Sequence, residues 1–233
     1  MIEIIYKDKN IIAVNKPSGM VVFQEGNSRK ESKSVSLFLK KEFPEIEGLG
    51  EERSGAVHRL DKDTSGVVLF ARNEKTLSFL QEQLLEKKAK KRYITLVFKP
   101  LKRESGEIRT FIERSPRDRR RQRAVKESDG KREAVTFFKV IESFTDFSLL
   151  DVEIETGRKH QIRCHLSSIG HPVAGDKLYR FKDQKDPLLL KRQFLHAKSI
   201  EIETPEGKKF FEAPLSKDLE DVINLLRKEN KTS

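Results

Sequence analysis

The sequence contains very little cysteine. Cys164 is the only cysteine among 233 residues, so the chain has neither a disulfide framework nor a zinc site built from four thiolates. This scarcity fits a protein that works in a reducing compartment. An isolated cysteine is usually a small buried apolar residue, and we expect Cys164 to be one.

Long apolar segments are also missing. Charged and polar residues interrupt the N-terminal sequence MIEIIYKDKNIIAVNKPSG, which leaves no apolar run long enough for an export signal or a membrane span. We therefore expect a soluble, cytoplasmic protein with no membrane partner. The hydrophobic content of 36% can still bury the core of one compact domain, or of two closely packed lobes at most. We predict a single domain over residues 1–233.

Patterns typical of metal and nucleotide sites are absent as well. The five histidines show no helical i, i+4 pair, and no cysteines stand beside them as zinc ligands. None of the glycines forms a phosphate-cradling fingerprint. The sequence therefore predicts neither a metal nor a cofactor.

Positive charge, in contrast, is abundant. The chain has 48 Lys and Arg residues against 37 Asp and Glu residues, a formal net charge of +11. Such an excess predicts a polyanionic partner, and nucleic acid is favoured over an anionic membrane because no strongly amphipathic basic helix stands out. The densest charge is RDRRRQR at 117–123, in a polar stretch over 114–132. We expect an exposed basic loop between strands, which either contacts phosphates or is simply solvated.

Hydrophobic periodicity predicts an α+β chain. Short apolar runs indicate strands, and apolar residues at helical spacing indicate helices. The predicted strands are 2–6, 11–15, 67–71, 93–98, 133–143, 146–154, 194–203 and 208–212. The predicted helices are 35–43, one that Asn73 caps and that ends near Lys87 and Lys88, 158–169 with Thr156 as its cap, and 216–227. Because many strands neighbour each other as hairpins, we expect a mixed, mainly antiparallel central sheet with peripheral helices and a catalytic cleft.

The stretch HRLDKDTSG at 58–66 is the most informative for chemistry. Asp61 is expected in a polar turn directly before the buried strand VVLFA, and the small residues Ser65 and Gly66 allow close backbone approach. A carboxylate held in this way can serve as a reactive group. The residues alone favour the other interpretation, a turn in which Asp61, Asp63 and Thr64 satisfy their own backbone.

Five segments resemble the motifs of the RluA family of pseudouridine synthases. HRLDKDTSG is similar to the family signature, whose catalytic aspartate falls on Asp61. In chain order, the other similar segments are NKPSGMVV at 15–22, RYITLV at 92–97, TGRKHQIRCHLSSIGHPVAGD at 156–176 and LHAKSIEIETPEGKKFFEAPL at 195–215. After GDKLY the family usually has glycine where this chain has Arg180, so we expect a different turn there. The sequence begins at the opening motif, which predicts a catalytic domain without the small N-terminal RNA-binding domain of some members.

The resemblance implies roles for three catalytic residues in converting uridine to pseudouridine. Asp61 would attack the ribose C1′ or remove a ribose proton to form a glycal, and both routes need its ionised form. Arg163 would form a salt bridge that favours this ionised form, and Tyr93 would stack on the target uracil. The residues alone favour a solvated helix arginine for Arg163 and a half-buried strand aromatic for Tyr93.

The resemblance also implies a structured RNA as partner, a tRNA or large-subunit ribosomal RNA, bound by a monomer. Arg59 would fill the gap that a flipped uridine leaves, although His58 and Arg59 could instead cap loop backbone. The expected RNA contacts are His58, Arg59, Thr64, Lys16, Arg158, His160, Arg119, Arg120 and Arg121. Two rival functions remain, a non-catalytic RNA-binding protein and an RNA glycosidase. The joint presence of Asp61, Tyr93 and Arg163 argues against the first rival, and release of free uracil would reveal the second.

Overall fold

The computed structural model describes residues 2–24, 33–126, 133–187 and 189–232. Its strands are β1 (Glu3–Lys7), β2 (Ile11–Lys16), β3 (Ser65–Ala71), β4 (Lys90–Phe98), β5 (Ser105–Arg114), β6 (Gln122–Val125), β7 (Glu133–Ser143), β8 (Phe147–Ile154), β9 (Leu195–Thr204) and β10 (Gly207–Glu212). Its α-helices are α1 (Val35–Glu42), α2 (Glu74–Leu85), α3 (Gln161–Ser168) and α4 (Lys217–Thr232). The glycine-rich loop after α1 contains two short 3-10 turns, Pro44–Ile46 and Glu51–Arg53.

The chain packs into two compact units, and neither is a continuous segment. The first unit contains Met1–Lys91 and Ala197–Pro214, and the second contains Arg92–His196 and Leu215–Ser233. Two of the boundaries between the units therefore fall within strands, near the start of β4 and near the start of β9. The single domain over 1–233 stays a prediction.

The first unit is built around β3. Its strands follow the order β1, β2, β3 and β9, with β10 paired to β9. Every residue of β3 is buried, as its unbroken apolar sequence predicts. The β1–β2 and β9–β10 hairpins are both antiparallel, which confirms the predicted pairs of strands.

Helix α2 begins where the sequence predicts. Asn73 is its N-cap, and the Asn73 side chain accepts a hydrogen bond from the backbone N–H of Thr76 at 2.9 Å. The predicted last turn is wrong, because the helix ends at Leu85. Lys87 follows with a φ of +60°, a left-handed conformation that cannot continue a helix.

The second unit has the strand order β4, β8, β7, β5 and β6. The β7–β8 hairpin is antiparallel, as predicted. The apolar face of α4, with Leu219, Val222, Ile223 and Leu226, packs into a buried cluster that also contains Leu96 of β4. This packing confirms the helix that the spacing of its apolar residues predicts.

Two strands of the second unit are not predicted from the sequence. Strands β5 and β6 form an antiparallel hairpin that pairs Phe111 with Val125 and Arg114 with Gln122, so the expected basic loop over 114–132 is wrong in part. The turn that connects β5 and β6 is only 115–121. Residues 127–132 of the expected loop lie outside the described residues. Strand β5 was missed because the apolar residues of SGEIRTFIER, Ile108, Phe111 and Ile112, do not alternate regularly with polar ones and most of its positions are half-buried or exposed. Both properties weaken the period-2 signal.

The predicted fold class is confirmed. The fold is α+β, with a mixed, mainly antiparallel sheet and four α-helices among the described residues. None of the helices that the structure describes is long and apolar enough to cross a membrane.

Candidate functional site

Asp61 lies in a tight turn immediately before β3. The backbone N–H of Thr64 donates to the Asp61 carbonyl at 3.1 Å, and β3 begins at the next residue, Ser65. Asp61 itself is half-buried, while Lys62 and Asp63 are exposed. The expected position of Asp61, in a polar turn anchored by a buried strand, is therefore what the structure has.

Hydrogen bonds of the Lys16 side chain hold this turn in place. Its side chain is fully buried, and its ammonium donates to the carbonyls of Pro17 at 2.9 Å, Met20 at 2.7 Å and Lys62 at 3.0 Å. The bond to Lys62 reaches the backbone between Asp61 and Thr64. We expected Lys16 to contact RNA; its side chain is fully buried in the structure, and that contact stays a prediction. A buried cation that bonds three carbonyls instead fixes the backbone of the Asp61 turn.

Gly66 brings the backbone of β3 close to β9. Its φ is +115°, a region that favours glycine. A Cβ atom at this position would lie 2.1 Å from the carbonyl oxygen of Ala197 and 2.7 Å from its nitrogen. No side chain fits there, so Gly66 provides the close backbone approach that the sequence predicts.

His58 is tied to the backbone of β3. Its Nε2 accepts a hydrogen bond from the N–H of Leu69 at 3.2 Å. Burial, assisted by the positive charge of Lys91, lowers the pKa of His58 to about 3. This neutral ring braces the segment before the Asp61 turn, so the backbone-capping alternative describes it better than the expected RNA contact.

Arg59 and Thr64 flank Asp61 with different exposure. Arg59 is exposed, and its guanidinium lies 5.3 Å from the centre of the Phe23 ring, so its charge faces solvent while it stacks on an aromatic face. Thr64 is only 2% exposed. A side chain buried to this degree offers RNA little surface, and the expected contact through Thr64 stays a prediction.

In the second unit, α3 begins three residues later than predicted. His160 precedes it with a φ of +55° and makes no side-chain capping bond. The expected cap, Thr156, bonds elsewhere. Its hydroxyl accepts from the N–H of Val135 at 3.1 Å and donates to Oε1 of Gln161 at 2.7 Å. The prediction was wrong because the left-handed residue at 160 separates Thr156 from the helix.

Hydrogen bonds of two buried side chains hold α3 against the sheet. Gln161 donates from Nε2 to the Val135 carbonyl at 2.9 Å. The ring nitrogens of His165 lie 2.9 Å from the hydroxyl of Thr136 on β7 and 3.0 Å from that of Thr110 on β5. Burial lowers the pKa of His165 to about 4, so this ring is neutral near pH 7. These contacts fix the orientation of the helix that carries Arg163.

Arg163 forms a buried, two-pronged ion pair with Asp176. Its Nε donates to Oδ2 of Asp176 at 2.6 Å and its Nη2 to Oδ1 at 2.9 Å. The side chains of Arg163 and Asp176 are 5% and 0% exposed, so the alternative of a solvated helix arginine is wrong. The Asp176 carboxylate also accepts from the N–H groups of Leu178 and Tyr179. The two hydrogen bonds from Arg163 to this fixed carboxylate hold the guanidinium in one orientation.

Tyr179 joins Arg163 to the β5–β6 hairpin. Its ring centre lies 5.2 Å from the guanidinium carbon of Arg163 and also 5.2 Å from that of Arg121. Its hydroxyl accepts from the N–H of Gln122 at 2.6 Å and lies 3.1 Å from Nδ1 of His160. Burial raises the pKa of the Tyr179 phenol well above its ordinary value, which keeps it neutral.

Arg119, Arg120 and Arg121, three of the four arginines in the 115–121 turn, have different environments. Arg120 donates from Nε and Nη2 to the neighbouring Asp118 carboxylate at 3.0 and 2.9 Å. Arg119 is exposed, whereas Arg121 is half-buried against Tyr179. The expected phosphate contacts therefore apply best to Arg119 and Arg120, and Arg121 has a structural contact as well.

The remaining predicted residues have ordinary local settings. Tyr93 is 9% exposed in β4, and the N–H of Arg158 donates to Oε1 of Gln161 at 3.0 Å. Cys164 is buried, as expected, and burial raises the pKa of its thiol to about 11. Arg180, which replaces the usual glycine, donates to the Gln184 carbonyl at 2.6 Å and closes its own turn without a positive φ.

Comparison with known proteins decides what this arrangement belongs to. Residues 10–168 match the family model described as RNA pseudouridylate synthase. The chain belongs to the RNA pseudouridylate synthase family. This result confirms the resemblance to the RluA family and identifies the enzyme class as an isomerase.

Individual members of the family are similar over most of the chain. An uncharacterized RNA pseudouridine synthase of Chloroflexus aurantiacus is 39% identical, over 91% of this chain and 66% of that protein. The ribosomal large subunit pseudouridine synthase D of Xylella fastidiosa is 36% identical, over 88% of this chain and 62% of that protein. The chain thus spans somewhat less than two thirds of the length of these two relatives.

A solved structure shares the fold. Human RNA Pseudouridylate Synthase Domain Containing 4 superposes with a TM-score of 0.77 at 24% identity, over 97% of this chain and 93% of that one. Its likeness concerns the fold alone.

Two residues with functional potential were missed at the level of sequence. Asp176 ends the third family motif and was given no role, and Tyr179 follows it in GDKLY. A signal was present, because an acidic residue that closes a motif containing Arg163 is a natural partner for that arginine. The ring contacts of Tyr179 depend on the missed β5–β6 hairpin, so its own role had no signal.

Proposed function

We propose that this chain isomerises selected uridines of structured RNA to pseudouridine, with Asp61 as the catalytic carboxylate. The observation that supports this proposal most directly is the turn that holds Asp61. Asp61 is the aspartate of the signature in a chain of this family. The backbone of its turn is held by the hydrogen bond of the Lys16 ammonium to the Lys62 carbonyl and by the buried strand β3 that follows. Such a fixed carboxylate can act on a ribose without first reorganising.

The reaction needs no oxidant or reductant. The bond between N1 and the ribose C1′ breaks, the base turns, and C5 joins the same carbon while the C5 proton leaves and N1 gains a proton. The Asp61 carboxylate either attacks C1′ and is later displaced by C5, or removes a ribose proton to give a glycal. Both routes remain open, and both require the ionised form of Asp61.

The roles of Tyr93, Arg163 and Arg59 stay predictions from the family resemblance. Arg163 is proposed as the cation that favours ionised Asp61, and its fixed orientation on Asp176 supports a positioning role. Tyr93 is proposed to stack on the uracil. Arg59, which is exposed, is proposed to fill the gap left by the flipped nucleotide.

The proposed RNA target is a tRNA or large-subunit ribosomal RNA. The name of the Xylella fastidiosa relative points to the large ribosomal subunit, and the net charge of +11 suits a folded polyanion. Recognition would follow the shape of a loop whose bases can be splayed, by a monomer without a cofactor. Mapping pseudouridines in total RNA from cells with and without this protein tests the target, and loss of no tRNA or ribosomal site in the deletion would refute it.

Replacement of Asp61 tests the proposed chemistry. Asp61→Asn should bind RNA normally and release no tritium from uracil C5, because an amide is neither an anionic nucleophile nor a base. Asp63→Asn, an exposed neighbour in the same turn, is the matched control and should keep its activity. Turnover of Asp61→Asn near the wild-type rate would disprove the assignment.

The same assay separates the two rival functions. A wild-type protein that binds RNA and releases no tritium would be a non-catalytic RNA-binding protein. Free uracil with a loss of RNA mass would indicate a glycosidase, whereas unchanged RNA mass with a carbon–carbon glycoside supports the isomerase.

A further inference from the structure

A groove in the second unit is lined by residues other than Arg163 and Tyr179. It has a volume of about 500 Å³ and is lined by the loop between β4 and β5, the start of β5, Phe138 of β7 and the end of α3. This volume falls within the range of about 300–1,000 Å³ that is common for small-ligand sites. The groove is therefore large enough for a small organic group.

The groove combines an apolar floor with a basic rim. Its floor contains Leu101, Ile108, Phe138 and Ile169, and Ile169 is 40% exposed although it is apolar. Gly106 makes room for the Phe138 ring, because a Cβ at position 106 would lie 2.6 Å from its Cζ. A flat apolar ligand face could thus displace water from this surface.

Cations surround this floor. The rim carries Lys99, Lys102 and Arg103, and neither Lys102 nor Arg103 forms an ion pair within the described parts of the chain. The carboxylate on the rim, Glu107, is occupied by Arg109 at 2.7 Å. The net positive charge of the rim is therefore available to an anionic ligand.

The loop between β4 and β5, which carries Lys99, Lys102 and Arg103, is held in a fixed conformation. Lys99 has a φ of +66°, which is uncommon for a residue with a side chain. Its N–H donates to the Asp146 carbonyl at 2.8 Å, its own carbonyl lies 3.0 Å from Nδ1 of His171, and the N–H of Leu101 donates to the Ser148 hydroxyl at 3.0 Å. A loop fastened at several points presents a preformed binding surface, which lowers the entropic cost of binding.

We propose that this groove binds one unpaired nucleotide of the substrate RNA, with its base on the apolar floor and its phosphate at Lys102 and Arg103. The inference rests on the proposed RNA-modifying function. A nucleotide unites the two properties that the groove offers, a flat base that gains from leaving water and an adjoining anion. The groove would thus hold a nucleotide other than the one that reacts at Asp61.

A filling variant and a charge variant test the groove. Ile169→Trp should occupy the floor, and Lys102→Gln/Arg103→Gln should remove the rim charge. The probe is a twelve-residue oligouridylate. Each change should raise its Kd about tenfold, since a stacked base contributes on the order of 1–3 kcal/mol, while the thermal midpoint stays within about 2 °C. The charge variant should also flatten the salt dependence of binding.

Matched controls use exposed positions outside the groove. Ile141→Trp places the same ring on a residue that is 51% exposed, and Lys41→Gln/Lys75→Gln removes two charges from exposed positions. Both should bind oligouridylate within twofold of the wild type. Wild-type affinity of the two groove variants would overturn the proposal. Binding of hexaglutamate that Ile169→Trp abolishes, with oligouridylate unaffected, would make the groove a peptide site instead.

The outcome is separable from that of the proposed function. Tritium release by the Asp61 and Asp63 variants tests the chemistry, whereas oligouridylate affinity tests the groove. An inactive wild-type protein whose groove variants lose affinity would retain the nucleotide site and refute the isomerase. Active groove variants with unchanged affinity would do the reverse.

Discussion

The guanidinium of Arg121 lies 5.2 Å from the centre of the Tyr179 ring. Next to it, the Tyr179 hydroxyl accepts the N–H of Gln122 at 2.6 Å, at the first residue of β6. The turn end of the β5–β6 hairpin is therefore bonded to a buried phenol that also contacts Arg163. Arg121 thus packs on the Tyr179 ring, whereas Arg119, two residues earlier, is exposed.

The hairpin arginines should respond differently to removal of charge. Arg119→Gln should weaken RNA binding and flatten its salt dependence, with the thermal midpoint unchanged, because Arg119 is exposed and the variant removes the predicted phosphate contact. Arg121→Gln should also destabilise the protein by about 0.5–1 kcal/mol through loss of its ring contact. Thermal unfolding and salt titrations of RNA binding measure both effects. An equal thermal midpoint for the two variants would contradict the structural role of Arg121.

Loss of the Lys16 ammonium should destabilise the Asp61 turn. Lys16→Met leaves three backbone carbonyls without their donor and should cost about 3 kcal/mol of unfolding free energy. Activity should fall along with stability, since the turn that holds Asp61 is no longer fixed. Lys62→Met is the control, because its side chain is exposed although its carbonyl belongs to the same turn. Denaturant titration measures the unfolding free energy of the two variants. Equal values would contradict a stabilising role for the Lys16 hydrogen bonds.

Variants of the Arg163–Asp176 pair can separate structure from catalysis. Arg163→Met leaves the buried Asp176 carboxylate without a charged partner and should cost about 3–5 kcal/mol. The double variant Arg163→Met/Asp176→Asn removes both charges, and the amide oxygen at position 176 can still accept the N–H groups of Leu178 and Tyr179, so it should regain much of that stability. Tritium release should stay very low in the double variant if Arg163 serves the reaction. Recovery of activity together with stability would show that Arg163 has only a structural role.

His165 should make stability depend on pH. Its pKa is about 4 in the folded protein against 6.5 for the ordinary ring, so the unfolded chain binds a proton first as pH falls. Its contribution to stability is complete above pH 6.5 and is lost progressively down to about pH 4, by about 3 kcal/mol in total. Denaturant titrations of His165→Gln should show a weaker pH dependence in this window. Lys139→Gln serves as the control and should keep the wild-type pH dependence.

Local signals in the sequence predict much of the fold. The unbroken apolar run of β3 and the cap at Asn73 place two elements correctly, because burial on both faces and side-chain capping leave direct marks in the sequence. The half-exposed strands β5 and β6 leave a weak mark, since their stability depends on pairing with β7 and with each other.

The candidate site was harder to predict than the fold. The turn at Asp61 follows from its own residues, but the burial of Lys16 follows from carbonyls that belong to two separate segments. Likewise, the Tyr179 contacts depend on residues of a hairpin more than 50 positions away in the chain. Side-chain partners distant in sequence cannot be read from periodicity or spacing.

The burial of Lys16 makes its amine a reporter of local opening. An ammonium with no exposed surface and three carbonyl partners cannot react with an acylating reagent while the turn is closed. Its labelling rate, measured by mass spectrometry beside that of exposed lysines, therefore counts how often the Asp61 turn opens. If RNA slows the acylation of Lys16, then the turn opens less often in the complex than in the free protein.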